Sequence, residues 1–335
     1  MNCKGKDIDF LMMGEYFFFS RSVSQHNKYI VSDIEADHQG VRMYNPFCEK
    51  KAEHENDIKL IHRVLEGSRE DLEKLVFRHQ AWIYNIALKM VLDPVDAEDV
   101  TQEILIKLIT KLATYDPDKG AFRTWLYRIV ANHVLNMKTS KYEKIFHSMD
   151  DHIEAIQKTP DQTISASPEN RLLLEELKIK CLMAILLCLD RRHRFVFILG
   201  EVFDVADQVG GEILEISRIN FRKMLSRSRK KISNFMTQNC GLINESNPCN
   251  CARKLKGYMD QGFVRPDHIS FYKSKAKQII DIVDTDNHAM DREWFTHITE
   301  LFRSHPFYEI PDFKTWYQDI ITDDTFRNII HKDFH

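Results

Sequence analysis

The chain has 335 residues and a formal net charge of -3 at pH 7, with 43% hydrophobic and 29% charged residues. That length allows two or three domains with cores of their own, and 11 Gly and 9 Pro favour a helical protein over a β-rich or disordered one. No apolar run approaches the roughly 20 residues of a membrane-spanning helix, so we expect no membrane partner.

Residues 1–54 show no helical or strand period and are predicted to form an irregular tail. The stretch "DFLMMGEYFFFS" is interrupted by Asp9 and Glu15 and lacks a small-residue cleavage site, so it is not interpreted as a secretory signal. The seven cysteines are odd in number, and Cys3, Cys48, Cys181 and Cys188 show no disulfide-framework spacing. Both features favour a reducing, cytoplasmic location.

Residues 55–141 carry apolar positions at helical spacing, with breaks at "DPVDAED" (93–99) and "YDPDKG" (115–120). After the first break, acids and an amide fall on the opening turns of a helix, where the helix dipole favours them. Ile104, Leu105 and Leu108 are predicted to point inward. The polar face comprises Asp96, Glu98, Asp99, Gln102 and Glu103.

The segment "GAFRTWLYRIVANHVLNMK" alternates aromatic and cationic residues, a pattern typical of proteins that stack on unpaired bases and hold phosphates. Trp125 and Ile129 share a helix face, so we expect Trp125 to be buried rather than stacked on DNA. Residues 142–171 are polar and acid-leaning, which is the composition of a flexible linker.

Helical periodicity returns over residues 172–238. "SRINFRKMLSRSRKK" (217–231) holds seven Arg or Lys and no acid. Ser217 is predicted to be the N-cap, with a core stripe of Phe221, Leu225, Ser228 and Ile232. The preceding "DVADQVGGEILEIS" predicts a short helix and a tight turn, hence a helix-turn-helix unit. A solvated basic face is the alternative on charge alone.

Two features of that unit depart from good helix and turn chemistry. Gly210 and Gly211 each cost about 1 kcal/mol of helix stability relative to Ala. Glu215 falls where the turn favours Gly, so we expect a positive φ at a non-glycine residue.

Residues 239–335 form a third block with a cysteine cluster and helical periodicity. Cys240, Cys249 and Cys251 are three soft metal ligands, with His268 as a candidate fourth, but zinc sites rarely show spacings of eight and one residues. Three buried thiols bracing a loop are the alternative. Aromatic residues further on are expected either to close a core of their own or to dock on residues 55–141 or 172–238, and the short connection after Ile232 favours the latter. These residues are Trp294, Phe302, Phe307, Tyr308 and Trp316.

Residues 93–138 resemble region two of bacterial extracytoplasmic-function RNA polymerase sigma factors, and residues 188–232 resemble region four. The resemblance implies an all-α protein, with region two at 55–141 and a region-four helix-turn-helix at 172–238. It implies that the acidic face binds core RNA polymerase. It further implies that one set of residues contacts the minus-ten promoter element: Asp116, Lys119, Phe122, Arg123, Thr124, Tyr127, Arg128, Asn132 and Lys138. A second set is implied to contact the minus-thirty-five element: Ser217, Arg218, Asn220, Arg222, Lys223, Ser226, Arg227 and Lys230.

Arg229, Lys230 and Lys231 are expected to contact phosphates. The absence of a nucleophile with a base, of a phosphate-cradling loop and of paired buried carboxylates argues against an enzyme. A stand-alone helix-turn-helix regulator and a C-terminal metal or redox sensor remain as alternatives. The activity is expected to be controlled by a separate anti-sigma protein or by the C-terminal block itself.

Overall fold

The computed structural model describes residues 51–165, 167–269, 302 and 310–321, with residues 51–55 described by their backbone alone. The predicted tail at 1–54 therefore lies almost wholly outside the described residues. Within them all regular structure is helical, apart from two isolated bridges. The helices are α1 (Lys51–Leu65), α2 (Arg69–Val91), α3 (Pro94–Lys111), α4 (Phe122–Asn136), α5 (Lys141–Ile145), α6 (Met149–Lys158), α7 (Pro168–Leu187), α8 (Arg191–Phe197), α9 (Asp207–Leu214), α10 (Arg218–Asn239), α11 (Cys251–Asp260) and α12 (Phe313–Ile320).

Helices α1 to α4 form the first bundle, with α2 at its centre. The two predicted breaks are helix boundaries: Asp93 caps α3 through its side chain, with Pro94 as the first helical residue, and two short 3₁₀ turns precede α4. Ile104, Leu105 and Leu108 are buried as predicted. No described helix is long and apolar enough to cross a membrane.

The segment 142–171, predicted to be a flexible linker, instead contains most of α5, all of α6 and the start of α7. Ser140 and Glu143 form a capping box at the start of α5. On α6 the few apolar groups are well spaced for packing, since His152 and Ile156 lie four residues apart and are buried. The composition predicted a linker because the segment contains few apolar residues. Those few residues are nevertheless enough to dock helices as short as α5 and α6.

Glu143 of α5 is paired with two arginines of the second bundle. Its carboxylate accepts hydrogen bonds from Arg191 (2.9 and 2.8 Å) and from Arg194 (2.9 Å), both on α8. Arg194, only 2% exposed, also donates to the carbonyl oxygens of Leu187 and Leu189 at 3.0 Å. A buried ion pair with its remaining donors satisfied fixes the relative position of the elements it links.

The second bundle contains α7 to α10. Helix α8 continues into a π-helical turn, Ile198–Val202. Gly210 lets α9 approach α10 closely, because a Cβ at this position would lie 2.4 Å from the Phe221 ring. The glycine that weakens α9 as an isolated helix is therefore required by the packing.

The described parts of the C-terminal block dock in three places. Residues 240–264 pack on α7 and on the chain near Thr159, where Lys254 Nζ donates to the Thr159 carbonyl at 2.5 Å and Lys180 Nζ to the Phe263 carbonyl at 3.1 Å. Phe302 packs edge-on against Phe197 of α8, with ring centroids 5.2 Å apart. These contacts lie near residues 172–238, as expected.

Helix α12 departs from that expectation, because it docks on the first bundle. Phe313 packs against Tyr84 of α2 and Tyr317 against Phe77, with ring centroids 6.3 and 5.8 Å apart. Trp316 is half-buried beside them. The predicted aromatic residues Trp294, Phe307 and Tyr308 lie outside the described residues.

Candidate nucleic-acid interface

Helices α9 and α10 form the helix-turn-helix that the sequence predicts. Glu215 has φ 54° and ψ 40°, which confirms the expected left-handed turn residue. Ser217 caps α10, its hydroxyl accepting from the Asn220 backbone N–H at 3.2 Å. Phe221, Leu225, Ser228 and Ile232 are buried along one stripe, which turns the opposite face of α10 to solvent.

That outer face is cationic at the N-terminal end of α10. Arg218 and Arg222 both reach Asp207 of α9, at 2.8 and 3.6 Å, and their side chains remain 60% and 68% exposed. The Arg218 guanidinium lowers the pKa of the Asp207 carboxyl. Such exposed ion pairs are worth at most about 1 kcal/mol, so DNA can displace Asp207. The other predicted contacts are also exposed: Ser217, Asn220, Lys223, Ser226, Arg227 and Lys230.

Ile219 lies within this polar face and is 64% exposed. An exposed apolar side chain on the first turn of a recognition helix suits contact with a thymine methyl group. Arg229, whose side chain is 39% exposed, pairs with Glu201, whose side chain is 1% exposed. This ion pair competes with the expected phosphate contact by Arg229, which stays a prediction.

Helix α4 corrects the predicted set of minus-ten contacts. Phe122 is fully buried and Tyr127 is 2% exposed, the latter packed on Trp82 with ring centroids 4.5 Å apart. Both are core residues in this arrangement and present no face to a base. Spacing could have shown this, since Phe122, Leu126, Val130 and Val134 recur every four residues and are all buried.

Trp125 is the half-exposed aromatic residue of this helix. Its ring stacks on Phe122 at 5.5 Å and lies 5.8 Å from Tyr115, so the expected burial is only partial. The remaining predicted contacts have solvent access to differing extents. Arg128, Asn132 and Lys138 are exposed, and Arg123 and Thr124 are half-buried.

The loop before α4 is held in one conformation by its own side chains. Asp116 caps the second 3₁₀ turn by accepting from the Asp118 N–H at 3.0 Å, and Tyr115 Oη donates to the Gly120 carbonyl at 3.1 Å. The ammonium group of Lys119, 3.1 Å from Asp116, lowers the pKa of the Asp116 carboxyl. This ordered, solvent-facing loop therefore presents charged groups beside Trp125.

The face of α4 that carries Arg128 is covered in part by α9. Arg128 Nε donates to the Glu212 carbonyl at 3.1 Å and lies 3.9 Å from a Glu215 carboxylate oxygen. A predicted minus-ten contact is thus occupied by the turn of the helix-turn-helix. The two candidate DNA-binding elements lie against one another in this arrangement.

The acidic face of α3 lies elsewhere on the first bundle. Asp99 and Glu103 are exposed, and Asp96, Glu98 and Gln102 are half-buried. Burial, with Asp93 and Asp99 nearby, raises the pKa of Asp96. Two apolar side chains flank these acids in solvent, Val95 at 64% and Ile106 at 38% exposure. Acids beside exposed apolar groups suit a protein partner.

The predicted metal ligands divide into two places. Cys240, Cys249 and Cys251 line one small cavity together with Cys181, whereas His268 is exposed and is not among the cavity-lining residues. Among the described residues, no three or more His, Cys, Asp or Glu side chains are already arranged to hold a metal ion.

An all-α chain with a helix-turn-helix and an exposed cationic face on its second helix has the architecture of many DNA-binding proteins. Residues 75–142 match the family model of sigma-70 region 2. This match covers much of the first bundle and supports the resemblance of the chain to sigma factors of the extracytoplasmic-function type.

Curated relatives are similar over part of the chain. The RNA polymerase sigma-H factor of Pseudomonas aeruginosa is 38% identical over 82 residues, which is 24% of this chain and 42% of that protein. The ECF RNA polymerase sigma-E factor of Escherichia coli K12 is 28% identical over 180 residues, 53% of this chain and 93% of that protein. A solved structure of CnrH in complex with the cytosolic domain of CnrY covers 54% of this chain and 97% of its own at 21% identity, with a TM-score of 0.39.

Proposed function

We propose that the chain binds core RNA polymerase and directs it to promoters in the cytoplasm, with α10 reading a duplex minus-thirty-five element and α4 with its preceding loop holding the opened minus-ten element. The observation that carries this proposal is the exposed N-terminal face of α10, which a helix-turn-helix turns toward a major groove. The chemistry of RNA synthesis belongs to the polymerase.

The acidic face of α3 is the proposed docking surface for the polymerase. It lies on a different helix from the cationic faces, so one molecule can bind protein and DNA at once. Asp99 and Glu103 are its most exposed acids and lie four residues apart on one helix face. Opposite charges at the rim of an interface speed association and fix its register.

The contact between α4 and α9 must break before both DNA elements can be engaged. Arg128 is tied to α9 by one hydrogen bond and one long, exposed ion pair. Bonds of this kind contribute about 0.5–1.5 kcal/mol and 0–1 kcal/mol, respectively. These two bonds are only part of the contact, because α4 and α9 also pack against each other and Arg194 of α8 donates to the Met90 carbonyl of α2. The described arrangement is proposed as a closed state, and binding of the polymerase and promoter must offset this packing as well as the Arg128 bonds.

Reconstituted transcription with core polymerase and a promoter library tests this function. The double variant D99K/E103K should bind core at least about tenfold more weakly, because like charges then meet the partner surface. The variant D150K/E154K is the matched control, since it reverses two solvent-facing acids, also four residues apart, on α6. Equal core affinity for the two double variants would refute the docking surface.

Promoter selection is tested in the same assay with Arg222→Ala, which should weaken binding by about 1–3 kcal/mol and relax the preference at one base pair. Arg171→Ala, an exposed Arg on α7, should have no effect. Promoter binding that needs no polymerase, together with transcription that is indifferent to the chain, would instead favour a stand-alone regulator.

A further inference from the structure

Four cysteines from three elements surround one small cavity. Cys181 comes from the middle of α7, Cys240 caps the end of α10, and Cys249 and Cys251 come from the loop before α11 and its first residue. The cavity has a volume of about 20 Å³. A volume of this order accommodates one small occupant, a single water molecule or an ion.

The remaining walls do not suit a water molecule. They are largely apolar, with Ile156, Leu182, Ile185, Phe235 and Leu242 around the thiols, and one buried imidazole, that of His152, also lines the cavity. Lys178 also lies at the wall, and its ammonium group is paired with Glu175 at 2.6 Å. A buried water needs two to four hydrogen-bonding partners, and thiols are weak donors and acceptors. The distinguishing chemistry of the cavity is therefore its sulfur atoms.

The loop is built to hold its cysteines in place. Cys240 and Cys249 form a parallel bridge, in which Gly241 N–H donates to the Cys249 carbonyl at 2.8 Å and Cys249 N–H to the Asn239 carbonyl at 3.0 Å. The buried Asn247 amide donates to the Cys240 carbonyl at 2.9 Å. A Cβ at Gly241 would lie 2.5 Å from the Cys249 oxygen, so this crossing requires glycine.

This geometry resolves the unusual ligand spacing. Zinc sites commonly use two pairs of closely spaced ligands. Here the loop supplies one close pair, Cys249 and Cys251, and the bridge brings Cys240 beside them. The fourth ligand comes from α7, which is distant in sequence and adjacent in space. His268, the fourth ligand considered from the sequence, is not needed.

Burial keeps these thiols protonated unless a cation compensates their charge. It raises the pKa of Cys240 to about 12. It also raises the pKa of Cys181 well above its ordinary value, and the pKa of Cys251 is raised likewise, first by its hydrogen bond with Cys249 and then by burial.

We propose that Cys181, Cys240, Cys249 and Cys251 bind one Zn²⁺ ion as a tetrahedral four-thiolate site that fastens the C-terminal block to α7. No three ligands within the described residues are already placed for coordination, so binding requires the thiols to turn about χ1, their single side-chain torsion, into the cavity. Each thiol that ligates releases one proton, and no electron is transferred. The proposal does not depend on the transcription function.

The test is metal analysis of the full-length chain, purified without chelators under reducing conditions, together with Co²⁺ titration of chelator-treated protein. One zinc per chain is expected, and Co²⁺ should give the intense charge-transfer absorption of a tetrahedral thiolate complex. Cys181→Ser and Cys251→Ser should each lower the zinc affinity at least about tenfold.

Cys188→Ser is the matched control. Cys188 is also buried but does not line the cavity. Its Sγ contacts the Ala184 carbonyl at 3.5 Å and lies 3.8 Å from Nδ1 of His152, which does line the cavity, so the control tests whether a thiol one contact away matters. This variant should retain wild-type zinc content. If Cys181→Ser fails to fold, the Co²⁺ spectrum of the wild-type chain still reports the number of thiolate ligands.

Three results would overturn the site. The first is a wild-type chain that takes up neither zinc nor cobalt. The second is a reductant-sensitive mass lower by two hydrogens, which would show a disulfide within the cluster. The third is wild-type zinc affinity in folded Cys181→Ser, which would remove α7 from the ligand set.

Discussion

Glu215 holds a left-handed backbone conformation at the turn between α9 and α10. This conformation costs a non-glycine residue about 1–2 kcal/mol, and its side chain makes only one long ion pair in return. Glu215→Gly should therefore stabilise the chain by about 0.5–1 kcal/mol, after the added entropy of glycine in the unfolded state is subtracted.

Thermal or chemical unfolding measures this change. Glu212→Gly is the control, since Glu212 lies inside α9 with helical geometry and glycine there should cost about 1 kcal/mol. Opposite signs for the two substitutions are expected. Destabilisation by both would mean that the Glu215 carboxylate contributes more than its backbone strain costs.

Glu143 is the buried carboxylate that ties α5 to α8. Burial alone would raise the pKa of Glu143. The hydrogen bonds and charges of Arg191 and Arg194 instead lower this pKa to about 2, from an ordinary value of 4.5. Because the folded pKa is the lower one, this stabilisation is present above about pH 4.5 and is lost as the pH falls toward 2. The shift corresponds to about 3 kcal/mol.

Glu143→Gln should remove that pH dependence and leave the Arg194 guanidinium buried without a counter-charge, at a cost of about 3–5 kcal/mol near neutral pH. Unfolding free energies measured between pH 2 and 7 test both effects. Glu154→Gln removes an exposed carboxylate paired with Lys158 and should change stability by less than about 0.5 kcal/mol. An unaltered pH profile in Glu143→Gln would contradict the assignment.

At the scale of helices, α10 could be predicted from sequence and α4 only in part. The cap, the buried stripe and the turn of the helix-turn-helix follow from local rules of capping and periodicity, and all appear as predicted. In α4 the same aromatic residues suit both a core and a DNA surface. The burial of Phe122 follows from its four-residue spacing with Leu126, but that of Tyr127 depends on α2, whose Trp82 packs on it, and local sequence does not contain that information.

The placement of α5, α6 and the C-terminal block was likewise beyond local rules. Their positions depend on contacts between residues far apart in the chain, such as Glu143 with Arg194 and Lys254 with Thr159. Cys181 joined no pattern in the sequence because its neighbours in the cavity lie far along the chain. Only the docked arrangement shows that four thiols meet.

Trp125 is the aromatic residue of α4 best placed to stack on an unpaired base. Trp125→Ala should weaken binding of a single-stranded minus-ten oligonucleotide by about 1–3 kcal/mol, measured by fluorescence anisotropy with the polymerase holoenzyme. Phe122→Leu changes a fully buried ring and should lower the unfolding temperature while leaving DNA affinity intact. The reverse pattern would restore Phe122 as the base contact.

On the scale of the whole molecule, the C-terminal block consists of two parts with different roles. Residues 240–264 complete the core around α7, with Leu255, Tyr258 and Val264 each at most 4% exposed. Helix α12 instead lies on α2 of the first bundle. The first part is therefore expected to be structural, and the second to be a removable strap on the region that carries the proposed polymerase and minus-ten contacts.

Two truncations separate these roles. A chain ending at residue 238 loses several buried side chains worth roughly 1.5–3 kcal/mol each, a sum comparable to the whole stability of a domain, so it should unfold or aggregate. A chain ending at residue 269 keeps those contacts and should fold, bind core polymerase like the full chain and differ in promoter output, because α12 no longer contacts α2. Circular dichroism and reconstituted transcription measure the two outcomes.

Full-length Phe313→Ala, which removes the most buried contact of α12, should reproduce the transcription change of the chain ending at residue 269 while keeping all other residues. If the chain ending at 238 melts at the same temperature as the chain ending at 269, residues 240–264 are an appendage, and if Phe313→Ala and the 269 truncation both transcribe like the full chain, α12 has no regulatory role.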